Sequence, residues 1–264
     1  MTKHSNPPLV ILGAGYTGKF LYQAAQRHGR EVLVTSRTPN HHLSYASPSH
    51  QLEFDLEQPT TWSNIPKNSD IIWCFPALPE DQAIAFTKTV ASQERTLLIL
   101  GSTSAFPSPL HQDKMDECSP INLTLPRVHA EETLRERFQA IILRLAGLYG
   151  PNRNVLHWIR KGKIRNTSKW VNLIHIEDVA EICLGALQEG QKGESYIVSD
   201  GTPRRWSTIF DEAKKTWNIP IPPPAPLKNP GKQLNPQKLF SSISYQLQHT
   251  DLFEALKEIE PPPH

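Results

Sequence analysis

The chain has 264 residues, with 28 Lys and Arg against 26 Asp and Glu, a formal net charge of +2 and a mean hydropathy of −0.44. That length supports one large domain, or one domain with a small appendage, around a core that needs neither disulfide nor metal. The near balance of charge excludes a dedicated nucleic-acid binder, no stretch reaches the ~18 apolar residues of a membrane helix, and the widely spaced Cys74, Cys118 and Cys183 give neither a disulfide framework nor a metal site. The polar stretch from Met1 to Pro8 lacks the apolar region of a signal peptide, so a cytoplasmic protein is expected. Proline is the unusual component, at 24 residues, roughly twice the average share of ~5%.

In chain order, Leu9–Leu12 is a predicted strand ending in glycines. Leu21, Ala24, Ala25 and His28 follow helical spacing, and Gly29 stops that helix. Glu31–Thr35 and Gln51–Asp55 read as the second and third strands. Asp70–Phe75 is a continuous apolar run of the kind buried on both faces of a parallel sheet. Ala83, Phe86, Thr87, Val90 and Ala91 mark a helix, and Arg95–Leu100 a fifth strand. Ala130, Leu134 and Phe138 mark the next helix, followed by a strand at Ala140–Leu145. Val179, Ile182, Cys183, Ala186 and Leu187 form a buried helix face. Glu194–Val198 is strand-like, and Trp206, Ile209, Phe210, Ala213 and Trp217 form another helix face. After Asn218 the run IPIPPPAP allows neither helix nor central strand and reads as an extended arm. Ten of the 24 prolines lie beyond Ile219. Between them, Leu252, Leu256 and Ile259 are predicted on one face of a short helix. The alternation of strand and helix predicts an α/β fold with a doubly wound parallel sheet.

Gly13-Ala14-Gly15-Tyr16-Thr17-Gly18 is a GxGxxG turn between a strand and a helix. The first glycine permits the tight turn, the second a close approach to a pyrophosphate, and the third close helix–strand packing. The pyrophosphate then meets the amides at the helix N-terminus. Gly13, Gly15, Tyr16, Thr17 and Gly18 are therefore candidate cofactor-binding residues. An NAD site usually offers an acid at the end of the second strand to hold the ribose. This chain has Ser36 and Arg37 instead, and Arg37 suits a 2′-phosphate, so NADP is expected, with NAD the alternative.

From about Leu9 to Trp217 the chain resembles the extended short-chain dehydrogenase/reductases of the NAD-dependent epimerase/dehydratase type. The likeness rests on GAGYTG, on Asp55-Leu56, on Cys74 to Ala77, on LGSTSAFP from Leu100, on DECSP from Asp116, on RLAGLYGP from Arg144, on NLIHIEDVA from Asn172 and on ESYIVSDGTP from Glu194. It implies a Rossmann-type core over residues 1–150. Residues 151–264 are expected to complete that core and to add a small substrate-binding or lid region with the proline-rich arm, as one unit. It also implies Asp55 and Leu56 at the adenine ring, and Phe75, Pro76 and Ala77 where the fourth strand passes the cofactor. A homodimer is a family habit.

The family's proton chemistry uses Ser, Tyr and Lys, the last two as YxxxK. Ser102 fits the serine, but no Tyr lies between Ser102 and Leu145. Aligning Ala130-Glu131-Glu132-Thr133-Leu134 with the family's AExxL puts Arg127 at the Lys position and Leu123 at the Tyr position; the other register puts Glu131 at the Lys position. The first keeps the helix phase. Ser102, Arg127 and Tyr149 are the candidate catalytic residues, with Arg127 also a candidate to hold the ribose or phosphate. His129 lies about 200° around the helix from Arg127, at ~100° per residue. Asp178 is read as a helix cap and His175 as a structural hydrogen-bonding group. Two functions follow. One is an NAD(P)-dependent oxidoreductase or epimerase acting on a small polar substrate, such as a sugar or sugar nucleotide. The other is a non-catalytic NADP(H) sensor or regulatory module.

Overall fold

The computed structural model describes residues 7–91, 94–107 and 114–263. The elements run β1 (Leu9–Leu12), α1 (Tyr16–Arg27), β2 (Val32–Ser36), α2 (Pro39–His42), β3 (Gln51–Glu53), β4 (Asp70–Trp73), α3 (Glu80–Val90), β5 (Leu97–Ser102), β6 (Lys114–Met115), α4 (Pro126–Phe138), β7 (Ile141–Leu145), β8 (Gly147–Tyr149), α5 (Val155–Arg160), β9 (Trp170–Val171), β10 (Leu173–His175), α6 (Ile176–Glu189), β11 (Ser195–Val198), β12 (Arg204–Arg205), α7 (Trp206–Trp217), β13 (Gln233–Leu234), α8 (Gln237–Ser242) and α9 (Leu252–Ile259). No helix among the described residues is long and apolar enough to cross a membrane.

Seven strands form one sheet in the order β3-β2-β1-β4-β5-β7-β11, parallel throughout. This is the Rossmann-type doubly wound fold expected from the alternating pattern. The apolar strands bury both faces because alternate side chains point to opposite sides. Leu9 and Ile11 pack with Leu21, Ala24 and Ala25 of α1 and Val179, Ile182 and Cys183 of α6. Val10 and Leu12 pack the other way, with Ala83 and Phe86 of α3 and Ala130 and Leu134 of α4. Strand β11, well beyond residue 150, lies beside β7, so the second half of the chain completes the sheet.

A separate core forms beyond the sheet. Tyr149, Leu156, Ile159, Phe210, Trp217, Leu252 and Leu256 belong to it, which places the predicted face of α9 inward. The proline-rich arm crosses this region in extended form. Prolines cannot donate a backbone hydrogen bond, so at those positions the arm is fastened through its carbonyls, while the Ala225 amide donates to the Asn166 carbonyl at 2.8 Å. Asn166 Nδ2 donates to the carbonyl oxygen of Pro222 at 3.0 Å, and the Trp170 amide to that of Pro230 at 2.8 Å. The proline excess thus encodes a fastened strap rather than a loose tail.

Candidate functional site

Sheet order reverses between β1 and β4, and the crevice at that switch point is where such folds seat ligands. A cavity of about 500 Å³ opens there, lined by Gly13, Gly15, Ser36, Arg37, Asp55, Leu56 and Phe75 among others. The glycines have different reasons to be glycine. Gly13 has φ +90, and a Cβ on it would lie 2.8 Å from Phe75. A Cβ on Gly18 would lie 2.4 Å from the carbonyl oxygen of Gly13, so Gly18 exists for helix–strand contact. A Cβ on Gly15 would meet nothing within 4 Å. No packing demand inside the protein explains that glycine, and it faces the cavity at the start of α1. That helix has no side-chain cap and no acid in its first turn, so its leading amides are open to an anion. Buried Thr35 fixes the turn by accepting from the Gly13 amide at 3.1 Å.

The rest of this cavity is partly apolar and partly charged, with Arg37 and His42 lining it alongside Asp55 and Glu57. Phe54, Leu56, Phe75 and Leu78 form the apolar wall. Arg37 is exposed and its side chain has no hydrogen bond or ion pair among the described residues, while His42 Nδ1 lies 3.2 Å from Ser36 Oγ. No carboxylate stands at the end of β2. Asp55 turns its carboxylate to the Glu57 amide at 3.0 Å and to Gln58. His42, Phe54 and Leu78 were not singled out in the sequence; their signal was position, on segments that follow or end strands reaching the same edge.

Six of the expected cofactor residues, Tyr16, Thr17, Gly18, Pro76, Ala77 and Arg127, do not line this cavity. Tyr16 points away: its hydroxyl donates to the Pro151 carbonyl at 2.9 Å and its ring lies 5.6 Å from the Arg153 guanidinium. Burial, the larger influence, pushes its phenol up to about 12 despite Arg153. Ala77 is fully buried in the core between the sheet and α3, and Pro76 is exposed outside the lining. Gly18 is inside the helix–strand contact. Thr17 follows Gly15 in the first turn of α1 and is partly exposed.

A second cavity, about 750 Å³, opens at the same edge of the sheet beyond the ends of β5 and β7. Its lining among the described residues includes Ser102, Ser104, Arg153, Lys169, Trp170, Asn172 and Lys232, and no carboxylate. Ser102 caps the turn after β5, accepting from the Ser104 amide at 3.1 Å. Arg127 on α4 reaches that turn, donating from Nη2 to Ser104 Oγ at 3.0 Å. Ser102 and Arg127 therefore converge on one loop. His129 does not join them: its Nδ1 lies 2.8 Å from Glu80 of α3. Leu123, at the family's Tyr position, is exposed.

Tyr149 is a correction. Neighbouring Leu148 lines the cavity, and strand alternation turns Tyr149 to the other side. There it is fully buried in the second core, edge-on to His175 with ring centroids 5.1 Å apart, its hydroxyl without a partner. Burial pushes its phenol far up, with Asp200 adding to the shift. It does not line the cleft and, fully buried, is not placed to act there.

Glu131 is the alternative at the Lys position, and it too is elsewhere. It is buried, accepting from Arg144 Nη1 at 3.0 Å, while Arg144 Nη2 binds Glu132. Asp178 is a further correction: it does not cap α6. His175 is the cap, with Nδ1 3.4 Å from the Glu177 amide. Asp178 is instead bound to Tyr245, Gln248 and His249. This contact also brings His175, Glu177 and His249 together, with ligating atoms within 4.8 Å of one another. The two imidazoles stack at 3.6 Å rather than converge on a point.

No family model and no curated protein matches the chain in sequence. Solved structures match it over nearly their whole length. A functionally unknown conserved protein from Silicibacter pomeroyi is 21% identical, with a TM-score of 0.76 and coverage of 97% of this chain and 98% of that one. A nucleoside-diphosphate-sugar epimerase from Pseudomonas aeruginosa is 16% identical, with a TM-score of 0.79 and 95% of each chain covered. A short-chain dehydrogenase/reductase superfamily protein from Agrobacterium tumefaciens with bound NAD is 12% identical, with a TM-score of 0.75 and coverage of 96% and 95%. The chain shares the fold of these proteins.

Proposed function

We propose that the chain binds NADP(H) at the β1/β4 crevice and acts as an oxidoreductase or epimerase on a small polar substrate in the neighbouring cleft. The observation that carries this reading is Gly15, a glycine at an open helix N-terminus that nothing inside the protein requires. When bound, the dinucleotide supplies hydride chemistry. The chain's own residues divide the rest. The α1 amides and Gly15 receive the diphosphate. Phe54, Leu56, Phe75 and Leu78 cover the adenine. Arg37, Ser36 and His42 meet a 2′-phosphate. Ser102 orients the substrate oxygen, and Arg127 braces that loop and holds the ribose or a phosphate.

One titration series tests the binding half. Adding a Cβ at Gly15 is expected to weaken NADPH binding at least about tenfold, roughly 1.4 kcal/mol, in a Gly15→Ala protein that folds as the wild type does. Gly18→Ala should instead lower the melting temperature, because its Cβ strikes the Gly13 carbonyl. Hydrogen bonds to charged groups contribute about 1.5–3 kcal/mol. Arg37→Ala should therefore reduce the preference for NADPH over NADH by roughly ten- to a hundredfold, with NADH affinity little changed. Equal affinities for the two cofactors in wild type and Arg37→Ala would remove the NADP assignment.

The second reading is a sensor that binds the dinucleotide without turnover. It is favoured by the cleft's lining, which contains no tyrosine among the described residues. Purified protein with NADPH and a panel of aldehydes, ketones and sugar nucleotides separates the two. Loss of absorbance at 340 nm supports the reductase; tight binding with no turnover supports the sensor.

A further inference from the structure

The cleft lacks a phenol, yet it does not lack a group able to move a proton. Lys232 reaches it from the proline-rich arm, a segment far outside the motifs that resemble the reductase family. Its placement is strongly determined. Gly231 before it has φ +75, and a Cβ there would lie 2.3 Å from the Trp170 carbonyl oxygen. Asn172 clamps the backbone on either side: Nδ2 donates to the Lys232 carbonyl at 2.8 Å, and Oδ1 accepts from the Leu234 amide at 3.0 Å. β13 then pairs with β6. The side chain runs to the loop after β5, where Nζ donates to the carbonyls of Thr103, at 2.9 Å, and Phe106. Nζ is thus held beside the residue that follows Ser102.

We infer that Lys232 is the proton-transfer group of this cleft, standing in for the missing tyrosine. The inference rests on the reductase reading above. An ammonium has three N–H donors. Two go to the carbonyls of Thr103 and Phe106, leaving one for the cleft. The neutral amine keeps two N–H groups for the same carbonyls and presents its lone pair in the third position. The proton can leave and return with the arm unmoved. In reduction, the substrate carbonyl carbon receives the hydride from the nicotinamide dinucleotide as the C=O π bond breaks. The carbonyl oxygen takes the proton from Nζ, giving an alcohol, and the neutral amine regains a proton from water. Oxidation runs the same steps in reverse, with Nζ as the base.

The electrostatics agree. Burial, with Lys169 nearby adding like charge, brings Lys232 down to about 8. Among the described residues Arg153 is the other cation lining the cleft, and no carboxylate of these residues lines it to hold the ammonium. Both protonation states are then populated near neutrality, the condition for general acid–base work.

Two readouts test this. The first needs no turnover. Trace acylation with isotopically labelled acetic anhydride across pH 6–11, read by peptide mass spectrometry, should give Lys232 a midpoint near 8, well below the ~10.4 of free lysines. A midpoint near 10.4 overturns the inference. The second takes the substrate found by the panel and compares wild type with Lys232→Arg and Lys232→Met. Arginine keeps the cation and its donors but cannot give up its proton. Both variants should bind NADPH within twofold of wild type, which shows that they fold. Both should lose kcat by about 10²–10⁴-fold, with the limb of the kcat–pH profile near pH 8 gone and KM changed far less. A merely fastening lysine would be rescued by arginine, with the wild-type pH profile intact. That result overturns the inference and leaves the reductase reading standing. Tight NADPH binding with no turnover across the panel overturns both.

Discussion

Arg144→Met is expected to destabilise the protein by about 3–5 kcal/mol, the range for leaving a buried ionic partner unpaired. Arg144 lies in β7, between β5 and the edge strand β11, and its side chain is 1% exposed, as is that of Glu131 on α4. Arg127 touches Glu131 only at 3.4 Å, at the edge of the pair. Burial already pushes the Glu131 carboxyl above its ordinary value, and Arg144 is the main influence holding it down. Removing the guanidinium leaves that carboxylate against Gly101, where even a Cβ would lie 2.8 Å from it. It must then take up a proton or draw in water. Urea denaturation at pH 7 measures the loss. The double variant Arg144→Met with Glu131→Gln should recover much of it, because the uncompensated charge goes with the partner. If the single variant unfolds at the wild-type midpoint, the pair carries no weight in the fold.

This pair also shows which parts of the molecule the sequence exposes. The seven strands were legible because their apolar runs alternate with helical spacing, a local property of each segment. The glycine turn was legible because three glycines at fixed offsets admit few backbone paths. Residues joined only by the fold were not. Arg144 and Glu131 stood out as pieces of two family-like motifs, yet nothing in their spacing says that they neutralise one another. Tyr149 was placed in the cleft because its segment lies at a strand end; the twofold alternation of β8, which turns Leu148 in and Tyr149 away, appears only once the strand is placed. Lys232 was hidden for the opposite reason. It sits in a proline-rich stretch with no periodic signal, and its importance comes from an arm that folds back over a loop some 130 residues earlier (about half the chain). Gly13, Gly15, Ser36, Arg37, Asp55, Leu56 and Phe75, all on local turns at strand ends, line one cavity. The cleft that Lys232 enters depends on long-range contacts.

Asp178→Ala tests the longest of these contacts and carries the second large effect. Asp178 is fully buried on α6. It accepts from the Tyr245 hydroxyl at 2.6 Å, the Gln248 amide at 2.7 Å, and the amide and Nδ1 of His249 at 3.2 Å each. One carboxylate thus holds the segment that delivers α9 to the second core. Hydrogen bonds to charged groups contribute about 1.5–3 kcal/mol each, so the loss should reach about 3 kcal/mol or more. It should appear first as rapid amide exchange over residues 245–259, before the sheet is affected. The pH dependence follows from the shifts. Burial raises the Asp178 carboxyl, but the hydrogen bonds from His249 and Tyr245 outweigh it and hold the group below its usual 3.8. Its contribution is present above that value and fades as pH falls through the lower folded one. His249 is raised above 6.5, chiefly by its hydrogen bond to Asp178. Its contribution is complete below 6.5 and is lost as pH rises through the folded value. The gap in stability between wild type and Asp178→Ala should therefore be widest between about pH 4 and 6.5 and should narrow as pH rises through the raised His249 value. His175 stays neutral over most of that window, since burial first and His249 second bring it down to about 4, so the stacked pair carries one positive charge, on the ring that faces Asp178. A gap that does not change between pH 5.5 and 8.5 would mean that the charge on His249 plays no part in fastening the C-terminal segment.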